Sequence, residues 1–193
     1  ATEFVAWYNG HPDFINQTFD LSVERAAVIG IGNVAVDVAR ILCLTPDELQ
    51  RTDMADYAID ALSESNIKEV FVLGRRGPAQ AAFTNPEAKE LGELAGADIY
   101  VMPKEAELDD LSRVLIERGA DRNVTKKVEI IQSYARRRPT GKARKLTVRF
   151  LVSPVELIGD SDGRVVRVRL QGDELYETES GTLRPRSTEQ CEE

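Results

Sequence analysis

The sequence predicts an α/β fold, a Rossmann-like parallel sheet flanked by helices with an antiparallel β-ribbon near the C-terminus. Three observations carry this. The apolar run Ala26-Ala27-Val28-Ile29 ends on Gly30-Ile31-Gly32-Asn33-Val34-Ala35 and passes directly into helical spacing, the pattern of a strand, a glycine turn and a helix packed back on the strand. Two further runs, Lys68–Leu73 and Asp98–Met102, each follow a helical segment, and strands alternating with helices call for parallel pairing. After residue 145 the apolar period drops to two: Leu146–Val152 and Val165–Leu170 alternate around the turn Gly159-Asp160-Ser161-Asp162-Gly163, as in a hairpin ribbon.

Residues 1–23 set Trp7, Tyr8, Phe14 and Phe19 around Asn9-Gly10-His11-Pro12, which reads as an ordered lead-in with a turn rather than a periodic element. The run before Gly30 reads as a central strand covered on both faces. From Asn33, the residues Val34, Ala35, Val38, Ile41 and Leu42 recur at helical spacing to about Leu44. Thr45-Pro46-Asp47-Glu48 joins a capping residue, a proline at the first helical position and a glutamate three beyond the cap, so a short helix starts there. A further helix is expected from Asp53 to about Ser65, with Met54, Tyr57, Ala58, Ala61 and Leu62 on its apolar face. Thr84-Asn85-Pro86-Glu87 repeats the start signal, for a helix reaching about Leu94. Leu111–Arg118 and Val124–Arg138 complete the helices, the second with Val124, Val128, Ile131 and Tyr134 spaced by three and four. Residues 174–184 add a weaker strand, and the acidic end is expected to fray. The division is thus one domain over 1–193, with a lead-in at 1–23, a core at 24–145, a ribbon at 146–185 and a frayed tail at 186–193.

At 193 residues, 42% of them hydrophobic, the chain can bury one core, and its net charge of −8 argues against a duplex nucleic acid or an anionic membrane as the main partner. The single histidine, His11, rules out histidine triads and histidine-rich metal sites, so no metal is expected, and His11 reads as a turn residue beside Pro12. Cys43 and Cys191 offer neither a disulfide framework nor a metal spacing, which favours a reducing, cytoplasmic setting. No apolar run approaches the roughly 18 residues of a membrane helix. The chain opens at Ala1 rather than methionine, and the expectation is a domain excised from a longer protein.

The chemistry lies at two turns. A glycine turn between strand and helix lets backbone N–H groups approach a pyrophosphate, Gly30 and Gly32 permitting the close approach, with the helix dipole adding positive potential. On its own this spacing is a weak signal, shared by FAD and S-adenosylmethionine sites. The neighbouring strand would end in a carboxylate, about 20 residues on, in a protein that selects NAD. Here it ends in Gly74-Arg75-Arg76 with no acid, and the crossover is lengthened by the helices between Leu44 and Asn66. Arginine forks bond phosphate oxygens in pairs, so Arg75 and Arg76 point to the 2'-phosphate of NADP(H). The alternative is a solvated basic turn. Arg136-Arg137-Arg138 with Lys142, Arg144 and Lys145 reads as a solvated loop, or less simply as a docking face for an acidic protein.

These motifs resemble the adrenodoxin reductase-like ferredoxin–NADP reductases, two-domain flavoproteins that pass electrons from NADPH through FAD to an iron–sulfur protein. The likeness is to their NADP domain and rests on Glu3–Pro12, Gly32–Leu42, Gly74–Thr84 and Arg149–Glu156. The resemblance implies that Asn33 and Val34 meet the pyrophosphate, Arg75 and Arg76 the 2'-phosphate, and Glu87 a cofactor ribose. It implies that Glu90 is an acid facing the flavin site, the one catalytic candidate, and that Lys89, Arg122, Lys126 and Lys127 attract an acidic ferredoxin. Ile31 departs from the Asn or Gln usual in the family.

A second glycine fingerprint for FAD is missing from the sequence, so FAD is expected only in a full-length protein, on a separate FAD domain. The isolated chain is expected to bind NADPH without reducing a ferredoxin. Two other readings remain open at this level, a non-enzymatic NADP-sensing module and the NADP domain of another two-domain reductase. Among the latter, a thioredoxin reductase would carry a Cys-x-x-Cys that is missing here, whereas a glutamate synthase small subunit need not.

Overall fold

A computed structural model describes residues 1–119 and 121–193. The elements run α1 (Thr2–Tyr8), β1 (Arg25–Ile29), α2 (Asn33–Cys43), α3 (Pro46–Leu49), α4 (Asp56–Ser63), β2 (Glu69–Gly74), a single 3-10 turn (Pro78–Gln80), α5 (Asn85–Glu90), β3 (Ala97–Val101), α6 (Pro103–Ala106), α7 (Asp110–Glu117), α8 (Arg122–Ala135), β4 (Arg144–Phe150), β5 (Val152–Gly159), β6 (Val165–Glu177) and β7 (Leu183–Glu192). A four-stranded parallel sheet has the order β1-β2-β4-β3, and a three-stranded antiparallel sheet the order β5-β6-β7. The α/β class with a C-terminal antiparallel unit is as the sequence predicts.

The main core lies between the parallel sheet and its helices. Val70, Val72, Leu146 and Phe150 from β2 and β4 are buried with Val36, Ala39 and Cys43 of α2 and Ile131 and Tyr134 of α8. The valines, Leu146, Ile131 and Phe150 each contribute about 1.5–3 kcal/mol by burial. A smaller cluster of Leu73, Val152 and Leu170 seats the antiparallel sheet on β2. Thr45 and Glu48 form the expected capping box, with the Glu48 carboxylate accepting from the Thr45 N–H at 2.9 Å.

Several boundaries differ from those read in the sequence. Residues 2–8 form a helix, because Phe4, Trp7 and Tyr8 fall on one face and are buried together beside Phe19. β1 is an edge strand rather than a central one. Among the described residues it pairs only with β2, and Ile29 is 62% exposed. Leu146–Phe150 belongs to the parallel sheet, not the ribbon. Its apparent alternation comes from Thr147, which is buried, and Arg149, whose charge is neutralised by Glu105 at 2.7 Å inside the fold. The tail is strand β7, held to β6 as far as Glu192. Among the described residues no helix is long and apolar enough to cross a membrane.

Candidate functional site

In an open parallel sheet, ligands gather beyond the C-terminal ends of the strands. The register brings Ile29 beside Leu73, so the turns leaving β1 and β2 start side by side, and the Gly30 N–H donates to the Leu73 carbonyl at 2.8 Å. Adjacent strands stand only about 4.8 Å apart. The Gly30–Asn33 turn and the Gly74-Arg75-Arg76 turn are therefore neighbours.

Gly30 adopts φ +121°, a conformation that side-chain-bearing residues avoid, and its turn carries the chain into α2. A Cβ added at Gly30 would stand 3.8 Å from that of Ala35, so the first turn of α2 packs closely on the strand end. Gly32 caps the 11-residue α2 without a side-chain bond, and the first turn holds no acid. The first-turn N–H groups of such a helix have no intrahelical acceptor and present partial positive charge. Above Gly32, apart from its own chain neighbours, no heavy atom of the described residues lies within 4 Å of where a Cβ would stand. Open space over bare N–H donors fits a pyrophosphate. Val34, 55% exposed, and exposed Asn33 border the same space.

Arg75 and Arg76 are exposed, and among the described residues neither guanidinium enters an ion pair. Two cations without counter-charges beside a helix N-terminus suit a phosphate monoester. The main chain under them is braced, with Leu151 N–H donating to the Arg76 carbonyl at 3.3 Å. By contrast, Arg149, at the matching end of β4, is committed to Glu105 and Glu192. Burial lowers its pKa, yet these carboxylates outweigh burial and raise it.

The segment 81–84 roofs the glycine turn. Ala82 and Phe83 N–H groups donate to the Ile31 carbonyl at 2.9 and 3.3 Å, and the Thr84 N–H is shared between Asn33 Oδ1 at 3.2 Å and Glu87 Oε2 at 2.9 Å. Glu87 thus caps α5 next to the turn. A carboxylate has about four lone-pair sites, so that bond leaves it able to accept a hydroxyl as well.

Glu90, at the end of α5, is 56% exposed and lies 3.8 Å from Arg40 Nε. Arg40 in turn bonds Asp37 Oδ1 at 2.6 Å, and Asp37 accepts from the Tyr8 hydroxyl. Burial first, and then the Asp37 carboxylate, hold the Tyr8 phenol well above its ordinary pKa of 10.0. Arg40, Glu90 and Glu93 with Leu44, Glu48 and Leu94 line a concavity of about 460 Å³. No signal in the sequence joined Tyr8 to Glu90.

Lys89, Arg122 and Lys126 are exposed. Lys127 is half-buried rather than exposed. Its Nζ turns inward, donating to the carbonyls of Ala81 and, at 3.2 Å, Phe83, over the Phe83 ring. The sequence reading of Lys127 as a partner-attracting residue is corrected accordingly. Among the described residues no group of three or more His, Cys, Asp or Glu could hold a metal ion.

Over its whole length the chain is 44% identical to the NADPH-ferredoxin reductase FprA of Mycobacterium tuberculosis, of which it covers 41%. Over 85% of its length it is 37% identical to the mitochondrial NADPH:adrenodoxin oxidoreductase of Bos taurus, covering 34% of that protein. The structure of M. tuberculosis FprA in complex with NADPH superposes with a TM-score of 0.89 at 41% identity, over 98% of this chain and 41% of that one. No protein-family model matches the chain. It spans about two fifths of the length of the first curated relatives it matches. The resemblance to adrenodoxin reductase-like ferredoxin–NADP reductases therefore holds along the entire sequence.

Proposed function

We propose that this chain is the NADP(H)-binding portion of a ferredoxin–NADP reductase of the FprA and adrenodoxin reductase type. One observation carries the reading: β1–β2 pairing sets Arg75 and Arg76, with no adjoining acid in the turn and no ion-pair partner among the described residues, beside the uncapped, glycine-lined N-terminus of α2. Gly32, Asn33 and Val34 take the pyrophosphate over the turn that Gly30 opens, Gly30's own N–H being held by Leu73, while Arg75 and Arg76 take the 2'-phosphate and Glu87 a ribose hydroxyl. The dinucleotide, when bound, supplies a hydride. The chain's own work is to bind it, to choose the phosphorylated form and to hold its nicotinamide end toward α5. There Glu90, kept close to Arg40, faces the acceptor.

That acceptor is FAD, held by polypeptide beyond these 193 residues, and the onward partner is an acidic iron–sulfur ferredoxin drawn by Lys89, Arg122 and Lys126. A local positive patch steers such a partner despite a negative total charge. The setting is the cytoplasm. The division into lead-in, nucleotide-binding core and antiparallel unit within one NADP domain belongs to the same proposal. Alone, the chain binds NADPH and reduces no ferredoxin.

Calorimetric titration with NADPH and NADH tests this. Each charge-assisted phosphate bond is worth about 1.5–3 kcal/mol, and solvent exposure of both arginines favours the lower end. The wild-type chain should prefer NADPH by about a hundredfold, about tenfold for each arginine. Arg75→Ala with Arg76→Ala should abolish that preference while leaving NADH binding in place. Equal affinities of the unmutated chain for the two nucleotides would sink the reading.

A further inference from the structure

The roof over the glycine turn needs an anchor, and the structure supplies one. Segment 81–84 sends its N–H groups down to Ile31 and Asn33. Its carbonyls at Ala81 and Phe83 point the other way, and both residues are buried, 3% and 2% exposed. Buried carbonyls without donors are costly. The only side-chain donor they receive among the described residues is the ammonium of Lys127, on α8. The stretch leading into it starts just after Arg76 and passes through the 3-10 turn at Pro78–Gln80, where Gln80 donates to buried Ser112 Oγ at 2.9 Å, and the segment itself ends at the Thr84 cap of α5. One stretch of backbone thus joins the arginine turn, the glycine turn and the helix bearing Glu87. Ala81 and Phe83 pack into the main core, and Lys127 supplies the side-chain hydrogen bonds that tie their carbonyls to α8.

We propose that Lys127 is a positioning residue for the dinucleotide: its ammonium locks segment 81–84 down on the Ile31–Asn33 turn, so that the pyrophosphate donors and the two arginines keep a fixed separation. This rests on the reading of the site given above. Lys127 touches no part of the nucleotide. It acts on the cradle as a whole, and both NADPH and NADH depend on it, whereas Arg75 and Arg76 distinguish the two. Burial lowers its pKa, with Asp121 opposing the shift, consistent with an ammonium drawn out of water to serve carbonyls.

The test is Lys127→Met, which keeps the linear apolar stem and removes the donors, beside Lys127→Arg, which keeps donors. In the 193-residue chain, Lys127→Met should weaken NADPH and NADH by a common factor, roughly tenfold, with the NADPH/NADH ratio unchanged, and Lys127→Arg should restore most of the loss. Hydrogen exchange without nucleotide should show the Ala82, Phe83 and Thr84 amides opening faster in Lys127→Met than in wild type. This second arm probes the lock itself, so it stands apart from whether the site is a nucleotide site at all. Wild-type amide protection in folded Lys127→Met, unchanged nucleotide affinities, or a loss confined to NADPH would each overturn the proposal. If Lys127→Met does not fold, the same comparisons made on Lys127→Gln decide.

Discussion

Gly74 and Ile31 form the tightest joint between the two turns of the site, and a mutant cycle on them is the sharpest check of its geometry. A Cβ at Gly74 would stand 2.5 Å from Ile31 Cγ2, 2.8 Å from Cδ1 and 3.0 Å from Cγ1. Gly74 is not among the positive-φ residues, so alanine meets no backbone penalty and its whole cost is this collision. Two of the three atoms branch directly from the Ile31 Cβ, and such a side chain is stiff about χ1. Relief therefore has to come from moving the glycine turn. Overpacking of this kind costs about 1–3 kcal/mol, a fall of about 2–12 °C in Tm for a domain of this size. In an Ile31→Ala background all three atoms are gone. There, Gly74→Ala should be neutral or stabilise by about 0.4–1 kcal/mol, because alanine restricts the unfolded chain. The expected coupling is thus about 1–4 kcal/mol, well above the roughly 0.5 kcal/mol scatter of independent sites. Urea unfolding of the four proteins measures it. An equal cost of Gly74→Ala in both backgrounds, or none in the wild type, would refute the joint.

Two more outcomes follow from buried and bonded groups. Cys43 is fully buried and burial pushes its thiol up to about 12, while Cys191 is exposed; iodoacetamide near neutral pH should therefore label Cys191 alone in the native chain and both thiols in guanidinium, and comparable native rates would contradict this. Asp98 accepts from the Thr140 hydroxyl at 2.7 Å and from the N–H groups of Thr140, Gly141 and Lys142 at 2.9, 2.9 and 3.1 Å. These bonds, the Thr140 hydroxyl foremost, hold its carboxyl below the ordinary 3.8. A depressed folded pKa gives stability that is complete above the unfolded value and is lost as pH falls through the folded one. The urea midpoint should drop as pH falls below about 4, less steeply in Asp98→Asn, and identical slopes would exclude the loop as the source.

What the sequence disclosed and what it hid divide along one physical line, local against distant. Capping at Thr45 and Thr84 was readable because the signal, a hydroxyl, a proline and a glutamate, lies within four residues. The Gly30 turn was readable for the same reason. The place of β1 at the sheet edge was not, since nothing within Arg25–Ile29 tells which strands flank it. β4 misled because Thr147 and Arg149 mimic the polar half of an alternating ribbon, and the carboxylate that lets Arg149 stay inside, Glu105, is 44 residues away. α1 did carry a signal, apolar residues at positions 4, 7 and 8, but seven residues around a turn motif obscure a period. Within the site, the glycines and arginines were named from spacing alone. The inward turn of Lys127 was not legible, because a lysine's direction depends on which carbonyls lie under its stem once the helices have packed.

The bare flank of β1 has a practical corollary. On that side, among the described residues, the strand's remaining peptide groups have no strand to bond, with Ile29 and Val34 standing exposed nearby. A rim like this is where separate molecules stitch together, and its one charged side chain, Arg25, is already occupied by Glu69 at 3.1 Å. Titrations of the chain belong at dilute concentration for that reason. Ile29→Lys, a charge set at the C-terminal end of the rim's open margin, is the change that would discourage two copies from zipping together.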